Sequence, residues 1–322
     1  MPTSPDLSSR TFGKTGLIVS PLAMGCAPLG DMPETFAYSV GDERALETVR
    51  EVLRSAIKVI DTAASYGDGE SERRIGLVLK EMGGVPEGYL LDTKADRDLK
   101  TGDFSGDQMR RSVERSLRLL GVDRLALVYL HDPEHAPFEE IAAPGGAVDT
   151  LCRLRDEGVI EHVGLAGGPT ELMMRYLELG IFEAVISHNR YTLINRNGAP
   201  LLDLATRMGL GVANAAPYGS GILAKGPDAY ARYAYQEAPA QLIERVRRIQ
   251  EICGRHGVPL AAAALQFSMR DPRVHTTIIG FTRPERIQQT VDLAQHPIPD
   301  ALWPELEAVG FDTGDPELYR WQ

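Results

Sequence analysis

YLLDTKADRDLKTGDFSGDQMRRSVERSLRLLGVDRLALVYLH, residues 89–131, carries the reading of the fold. It opens with a short apolar run at 89–94 and closes with another at 125–131. Between them, 106–120 reads as a helix. Ser105 and Gln108 stand before it at capping-box spacing, and Gly121 stands just past its end, where a left-handed residue closes a helix. Strand, helix and strand in this order form a crossover unit, and crossovers join parallel strands.

The same unit recurs on both sides. Towards the N-terminus lie a strand at 59–63 with a helix at 70–82, and a strand at 21–26 with a helix at 42–57. That helix carries Leu46, Val49, Leu53 and Ile57 on one stripe. Residues 11–20 read as a small hairpin turning near Gly13 to Gly16. Towards the C-terminus come a helix at 147–157, a strand at 160–166, and a helix that Thr170 is expected to cap, running to Leu179. Then follow strands at 184–188 and 211–216 around a helix near 200–208. Two helices at 239–256 and 259–269 lead to a last strand at 275–280, its helix at 284–293, and a terminal helix at 299–309. Eight strands, nearly all separated by a helix, predict an α/β chain folded as a (β/α)8 TIM barrel with a short N-terminal β-hairpin. Residues 1–9 read as a flexible tail and 10–322 as a single barrel domain.

Composition is that of a globular enzyme-sized chain: 322 residues, 43% hydrophobic and 25% charged. The net charge of -11 repels phosphate backbones and anionic membranes, so neither nucleic acid nor membrane is expected as a partner. Cys26, Cys152 and Cys253 form no CxxC pair and no disulfide framework. MPTSPDLSSR lacks the apolar core of a secretory signal, and no apolar run is long enough to cross a bilayer. A cytoplasmic location is the expectation.

In such barrels chemistry sits at the carboxyl ends of the strands. Asp61 lies near the end of the second strand, Lys94 at the end of the third and His131 at the end of the fourth, with Tyr66 five residues past Asp61. These four types suit one task. A phenol has a reference pKa near 10. An ammonium beside it is expected to lower that value, and Asp61 supplies the ammonium's counter-charge. An imidazole can orient a substrate oxygen. The set trades a proton with a carbonyl or hydroxyl oxygen while something else handles the adjacent carbon. With no nucleophile–base pair and no metal cluster in the sequence, a hydride cofactor is the natural partner.

DTAASYG (61–67), DTKAD (92–96), LVYLHDP (127–133) and FGKTGLIVSPLAMGC (12–26) together resemble the aldo-keto reductase superfamily. GVIEHVGLAG, SHNRYTLINR, APYGSGIL and IIGFTRPERI follow in that family's order, so the resemblance spans about 10–309. It implies a barrel that binds NAD or NADP without a Rossmann domain. Tyr66 would be the general acid/base, tuned by Lys94 and Asp61, and His131 would orient the substrate oxygen. The implied cofactor contacts are Gly25, Asp61, His188, Pro217, Tyr218, Gly219, Gly221, Leu223, Gly280, Thr282, Arg286 and Gln289. Four positions around the nicotinamide depart from the pattern. Ala166 and Gly167 replace a Ser-Asn pair that holds the carboxamide, His188 replaces a glutamine with the same work, and Ala215 replaces a stacking aromatic. His188 is thus either a cofactor contact or a core histidine. Gly280 replaces the lysine of many NADP-dependent members while Arg286 remains, which favours NAD or dual use.

GxAPLG (25–30), SHNRYTL and NAAP are more like the aldose 1-dehydrogenase branch, with pyridoxal 4-dehydrogenases nearby. A small carbonyl or sugar substrate is implied, with hydride leaving an anomeric carbon. An NADPH-dependent carbonyl reductase, a non-catalytic cofactor-binding regulator and a metal-dependent hydrolase are the competing readings. Gly13-Lys14-Thr15 is no P-loop, because Ser8 stands where its glycine belongs. Gly219 to Ala224 follows the seventh strand in a Gly- and Tyr-rich loop, a poor Rossmann context. His131 and His135 straddle Pro133 without HExxH order, so no metal is expected. The loops at 32–40, 135–146 and 226–238 are expected to shape the substrate pocket.

Overall fold

The computed structural model describes residues 7–36 and 38–318, so residues 1–6 of the expected tail lie outside the described residues. Eight strands close into a barrel: β1 (Leu22–Gly25), β2 (Val59–Asp61), β3 (Leu90–Ala95), β4 (Leu125–His131), β5 (Ile160–Gly167), β6 (Ala184–His188), β7 (Gly211–Ala215) and β8 (Thr276–Gly280). Each pairs in parallel with its neighbour in sequence, and β8 pairs back onto β1, so no strand edge is left open.

The helices follow as crossovers: α1 (Asp42–Val52), α2 (Glu70–Met82), α3 (Gly106–Leu120), α4 (Ala147–Asp156), α5 (Thr170–Leu177), α6 (Ala199–Arg207), α7 (Ala240–Arg255), α8 (Leu260–Met269) and α9 (Glu285–Gln295), with α10 (Leu302–Ala308) after the last of them. Strand alternation separates two cores. Outward residues such as Ile60, Leu91, Val128 and Val163 pack under the helices. Inward residues such as Ala23, Val59, Leu127, Tyr129, Ile186 and Ile278 fill the lumen. Tyr129 fits there because Gly164 faces it, and any Cβ at Gly164 would run into the tyrosine ring. The hairpin Arg10–Thr11/Ile18–Val19 is antiparallel as expected, and its Phe12 and Val19 join the lumen core.

Local differences have identifiable causes. The helix expected at 42–57 stops at Val52; Leu53 caps it and Ile57 is buried in the connection to β2. Pro169, not Thr170, holds the N-cap of α5, and the Thr170 hydroxyl donates to Asn197 Oδ1 instead. At α3, Ser105 Oγ accepts the Gln108 N–H at 3.2 Å, but the reciprocal half of the box is missing. Gln108 Nε2 donates to Asp96 O, and the Ser105 N–H goes to Asp103 Oδ1. The long loops hold single helical turns at Pro33–Phe36, Phe138–Ile141 and Ile222–Lys225, plus a hairpin at Arg232–Tyr233/Gln236–Glu237.

Candidate active site

Asp61 and His131 end their strands, Lys94 is the last residue but one of the strand between them, and all three are buried. Lys94 Nζ donates to Asp61 Oδ1 at 2.6 Å and to Thr62 O at 2.7 Å. The same ammonium lies 4.8 Å from the centre of the half-buried Tyr66 ring. Tyr66 and His131 meet edge to face with ring centres 5.8 Å apart. The four side chains singled out from sequence thus converge on one mouth of the barrel.

Electrostatics departs from the sequence expectation at one point. Burial lifts the Tyr66 phenol above its ordinary value, and Lys94, which pulls the other way, does not overcome it. Burial is the larger effect, and the Asp61 carboxylate adds to it by offsetting the ammonium's charge. Burial works against the charge on Lys94, yet Asp61, Tyr66 and Asp92 outweigh it and keep the ammonium protonated.

His131 Nδ1 pairs with Asp96 Oδ1 at 2.6 Å, and Nε2 stands 3.6 Å from Asp132 Oδ1. Burial and Lys94 oppose a charged ring, but Asp132 and Asp96 together raise its pKa. A carboxylate only accepts, so Nδ1–H donates to Asp96, and a protonated ring offers Nε2–H to a ligand oxygen.

Sequence reasoning missed Asp92, Asp96, Asp132, Glu134, Arg190 and Glu317. Two were within reach. Asp92, Lys94 and Asp96 are spaced by two, so strand alternation puts them on one face. Asp92 sits opposite Asp61 in register, and burial first, then Asp61, holds its carboxyl well above the usual range. Asp132 takes a left-handed backbone (φ 45°), a conformation that non-glycine residues adopt rarely.

The residues implied as cofactor contacts fall into two groups. Gly25 and Gly280 are register partners where β1 and β8 end side by side. Gly280 is exposed, and a Cβ there would stand 3.1 Å from Pro28 Cγ. Thr282, Arg286 and Gln289 follow at the start of α9, with Arg286 and Gln289 exposed. Arg283, not singled out from sequence, is exposed beside them, and neither arginine makes an ion pair among the described residues. Pro217, Tyr218, Gly219 and Gly221 form a turn after β7. The N–H groups of Gly219, Gly221 and Leu223 are used within that turn, and the Leu223 side chain is core.

His188 ends β6 with its side chain about a quarter exposed, and Glu317 Oε1 lies 3.3 Å from its Nε2. Glu317 also accepts from Asn189 Nδ2 at 2.7 Å, while Asp315 binds Arg190 Nη2 at 2.7 Å. The segment at 312–318 is therefore strapped across the end of β6. No group of three His, Cys, Asp or Glu suited to a metal ion occurs among the described residues.

Residues 21–310 match the model of the aldo/keto reductase family. The chain belongs to that family. This aldo-keto reductase is 30% identical over 317 residues to D-threo-aldose 1-dehydrogenase of a Pseudomonas species, with 90% of this chain and 94% of that one covered. It is 31% identical over 338 residues to pyridoxal 4-dehydrogenase of Microbacterium luteolum, covering 94% and 97%. An aldo-keto reductase from Bacillus halodurans superposes with a TM-score of 0.79 at 22% identity over 98% of this chain and 100% of that one, which shows the shared barrel. The protein is accordingly an oxidoreductase of a family that works with nicotinamide nucleotides.

Proposed function

We propose that this aldo-keto reductase oxidises the cyclic hemiacetal of an aldose to a lactone, with NAD favoured as hydride acceptor. The convergence of Tyr66, Lys94, Asp61 and His131 at the barrel mouth carries the reading. Tyr66 trades the proton with the substrate oxygen, Lys94 counters the burial that raises its pKa while Asp61 holds the ammonium, and His131 Nε2–H fixes that oxygen. Similarity to an aldose dehydrogenase and a pyridoxal dehydrogenase points to a ring-bearing alcohol or hemiacetal as substrate.

The residues present fit a nicotinamide dinucleotide. Gly25 and Gly280 leave a bare strip at the β1–β8 end, and Arg283 and Arg286 offer uncompensated positive charge beside it. Buried unpartnered polar atoms remain on Glu134 and Arg190 at the β5–β6 end. Once bound, the nicotinamide accepts or gives the hydride at the carbon, and the protein supplies orientation and the proton. Pro28 against Gly280 leaves no easy place for a lysine there, which favours NAD, whereas Arg283 adds a second cation that a 2′-phosphate can use.

The raised pKa of Tyr66 favours a second reading, reduction of a carbonyl, because a neutral phenol is ready to donate. A panel of aldoses, pyridoxal and simple aldehydes, assayed in both directions with NAD(H) and NADP(H), separates the readings. Lactone and NADH from a sugar support the first. Turnover confined to aldehyde reduction supports the second.

A further inference from the structure

The barrel lumen holds one more ionisable group than the proton-transfer set uses. Asp92 precedes Lys94 by two on β3, so both side chains point inward. It is also the register partner of Asp61 on β2, and it is 3% exposed. Neighbouring strands lie about 4.8 Å apart, so the two carboxyls occupy one site. They are within hydrogen-bonding reach of each other.

That site has too few donors for two carboxylates. Lys94 Nζ carries three hydrogens. One goes to Asp61 Oδ1 and one to Thr62 O, while the Tyr66 hydroxyl interacts with the third. Asp92 Oδ1 is buried and receives none. An oxygen left dry in this way is far costlier on a carboxylate than on a neutral acid. The other groups facing Asp92 add no charge. Leu127, its register partner on β4, is apolar, and burial keeps Tyr129 of β4 and Cys26 just past β1 neutral. One carboxylate, one ammonium, a neutral Asp92 and a neutral Tyr66 sum to zero, which suits a dry lumen. Asp61 holds the ammonium, so the acid's proton belongs to Asp92.

Resting on the reading of Tyr66 as the proton-trading group, we propose that Asp92 is a positioning residue that donates its carboxyl O–H to Asp61 and tunes Tyr66 through Lys94. A bond from a neutral acid to a carboxylate is short and strong, and it draws charge out of Asp61. Asp61 then neutralises less of the ammonium, and more of Lys94's attraction is left for the phenolate. The charges acting on Tyr66 are chiefly those of Lys94, Asp61 and Asp132, so Asp92 works through its neighbours.

The first arm of the test needs no turnover. The infrared spectrum of wild type minus that of Asp92→Asn, taken near neutral pH, shows the C=O stretch of one protonated carboxyl; its absence overturns the proposal. The second arm is the pH profile of oxidative kcat/KM with NAD and either L-galactose or pyridoxal, with circular dichroism confirming the fold of each variant. Asp92→Leu removes the donor, so its rising limb lies about tenfold below wild type at each pH, a displacement of about one unit, while KM for NAD is unchanged. Asp92→Asn keeps an N–H for Asp61 and returns the wild-type profile. A limb unmoved in Asp92→Leu overturns the tuning role. A limb moved to lower pH in both variants overturns it too, because Asp92 then carried a charge. Activity kept in Tyr66→Phe, or oxidation of neither compound by wild type, overturns the Tyr66 reading and the tuning role with it, whereas the infrared band decides the shared proton in every case.

Discussion

The Lys94 ammonium and the Asp61 carboxylate form an ion pair at 2.6 Å in which both side chains are nearly sealed from water. Breaking such a pair from one side costs more than removing it, because the charge left behind is buried and unpaired. Lys94→Met is therefore expected to lower stability by roughly 3–5 kcal/mol and turnover by roughly 10²–10⁴-fold. The double variant Asp61→Asn/Lys94→Met should recover part of the stability and none of the activity. Equal denaturation midpoints for the single and double variants would show that Asp61 does not depend on Lys94.

Tyr66 stands above its ordinary pKa, so the phenolate needed for oxidation becomes available only as pH rises. Oxidative kcat/KM should climb through the alkaline range, while reduction, which uses the neutral phenol, should persist at neutral pH. Tyr66→Phe should abolish both directions with nucleotide affinity retained. An oxidative rate flat from pH 7 to pH 10 would remove Tyr66 from the proton step.

Asp132 and Asp96 raise the pKa of the His131 ring against burial and Lys94. Asp96→Asn keeps an acceptor for Nδ1–H and removes one of those charges. The ionisation assigned to the imidazolium in a kcat/KM profile should move to lower pH, by about one unit. An unmoved limb would mean that another group titrates there.

Glu72 tests the wall behind the site. It is fully buried on α2, accepts the Thr93 hydroxyl at 2.6 Å, and burial pushes its carboxyl up to about 7. A carboxyl whose folded-state pKa is raised contributes stability that is whole below the unfolded value of 4.5 and lost as pH rises to about 7. The loss is on the order of 3 kcal/mol. Glu72→Gln should flatten the decline of the unfolding midpoint between pH 5 and pH 8. A wild-type midpoint constant over that window would contradict the burial penalty.

The approach of Pro28 to Gly280 gives the proposed NAD preference a test by engineering. Gly280→Lys alone should help NADP little, because its Cβ stands 3.1 Å from Pro28 Cγ. Combined with Pro28→Ala, it should raise kcat/KM for NADP relative to NAD. Strong NADP preference in wild type would show that Arg283 and Arg286 suffice.

What could be read in the sequence followed strict periodicities. Strand alternation and crossover order placed the eight strands within a residue or two, and Asp61, Lys94 and His131 were visible because they terminate apolar runs. Tyr66 was legible only through its neighbours, since a loop residue carries no period of its own. Arg190 and Glu317 stayed hidden because they meet through space from separate loops, and Glu134 because its partner, the Gly168 N–H, lies on another one. Thr170 looked like a cap because local preference cannot foresee Asn197, whose amide oxygen takes its hydroxyl. The raised Tyr66 pKa escaped for a related reason: burial is a property of the folded whole.

The bond from Arg190 to Asp315 spans 125 residues. At roughly 5–20 residues per second of ribosomal elongation, that interval lasts about 6–25 seconds. During it, the guanidinium has emerged while its carboxylate is still unmade. The β5–β6 rim is thus closed only once the segment at 312–318 has been made and laid across strands completed well before it.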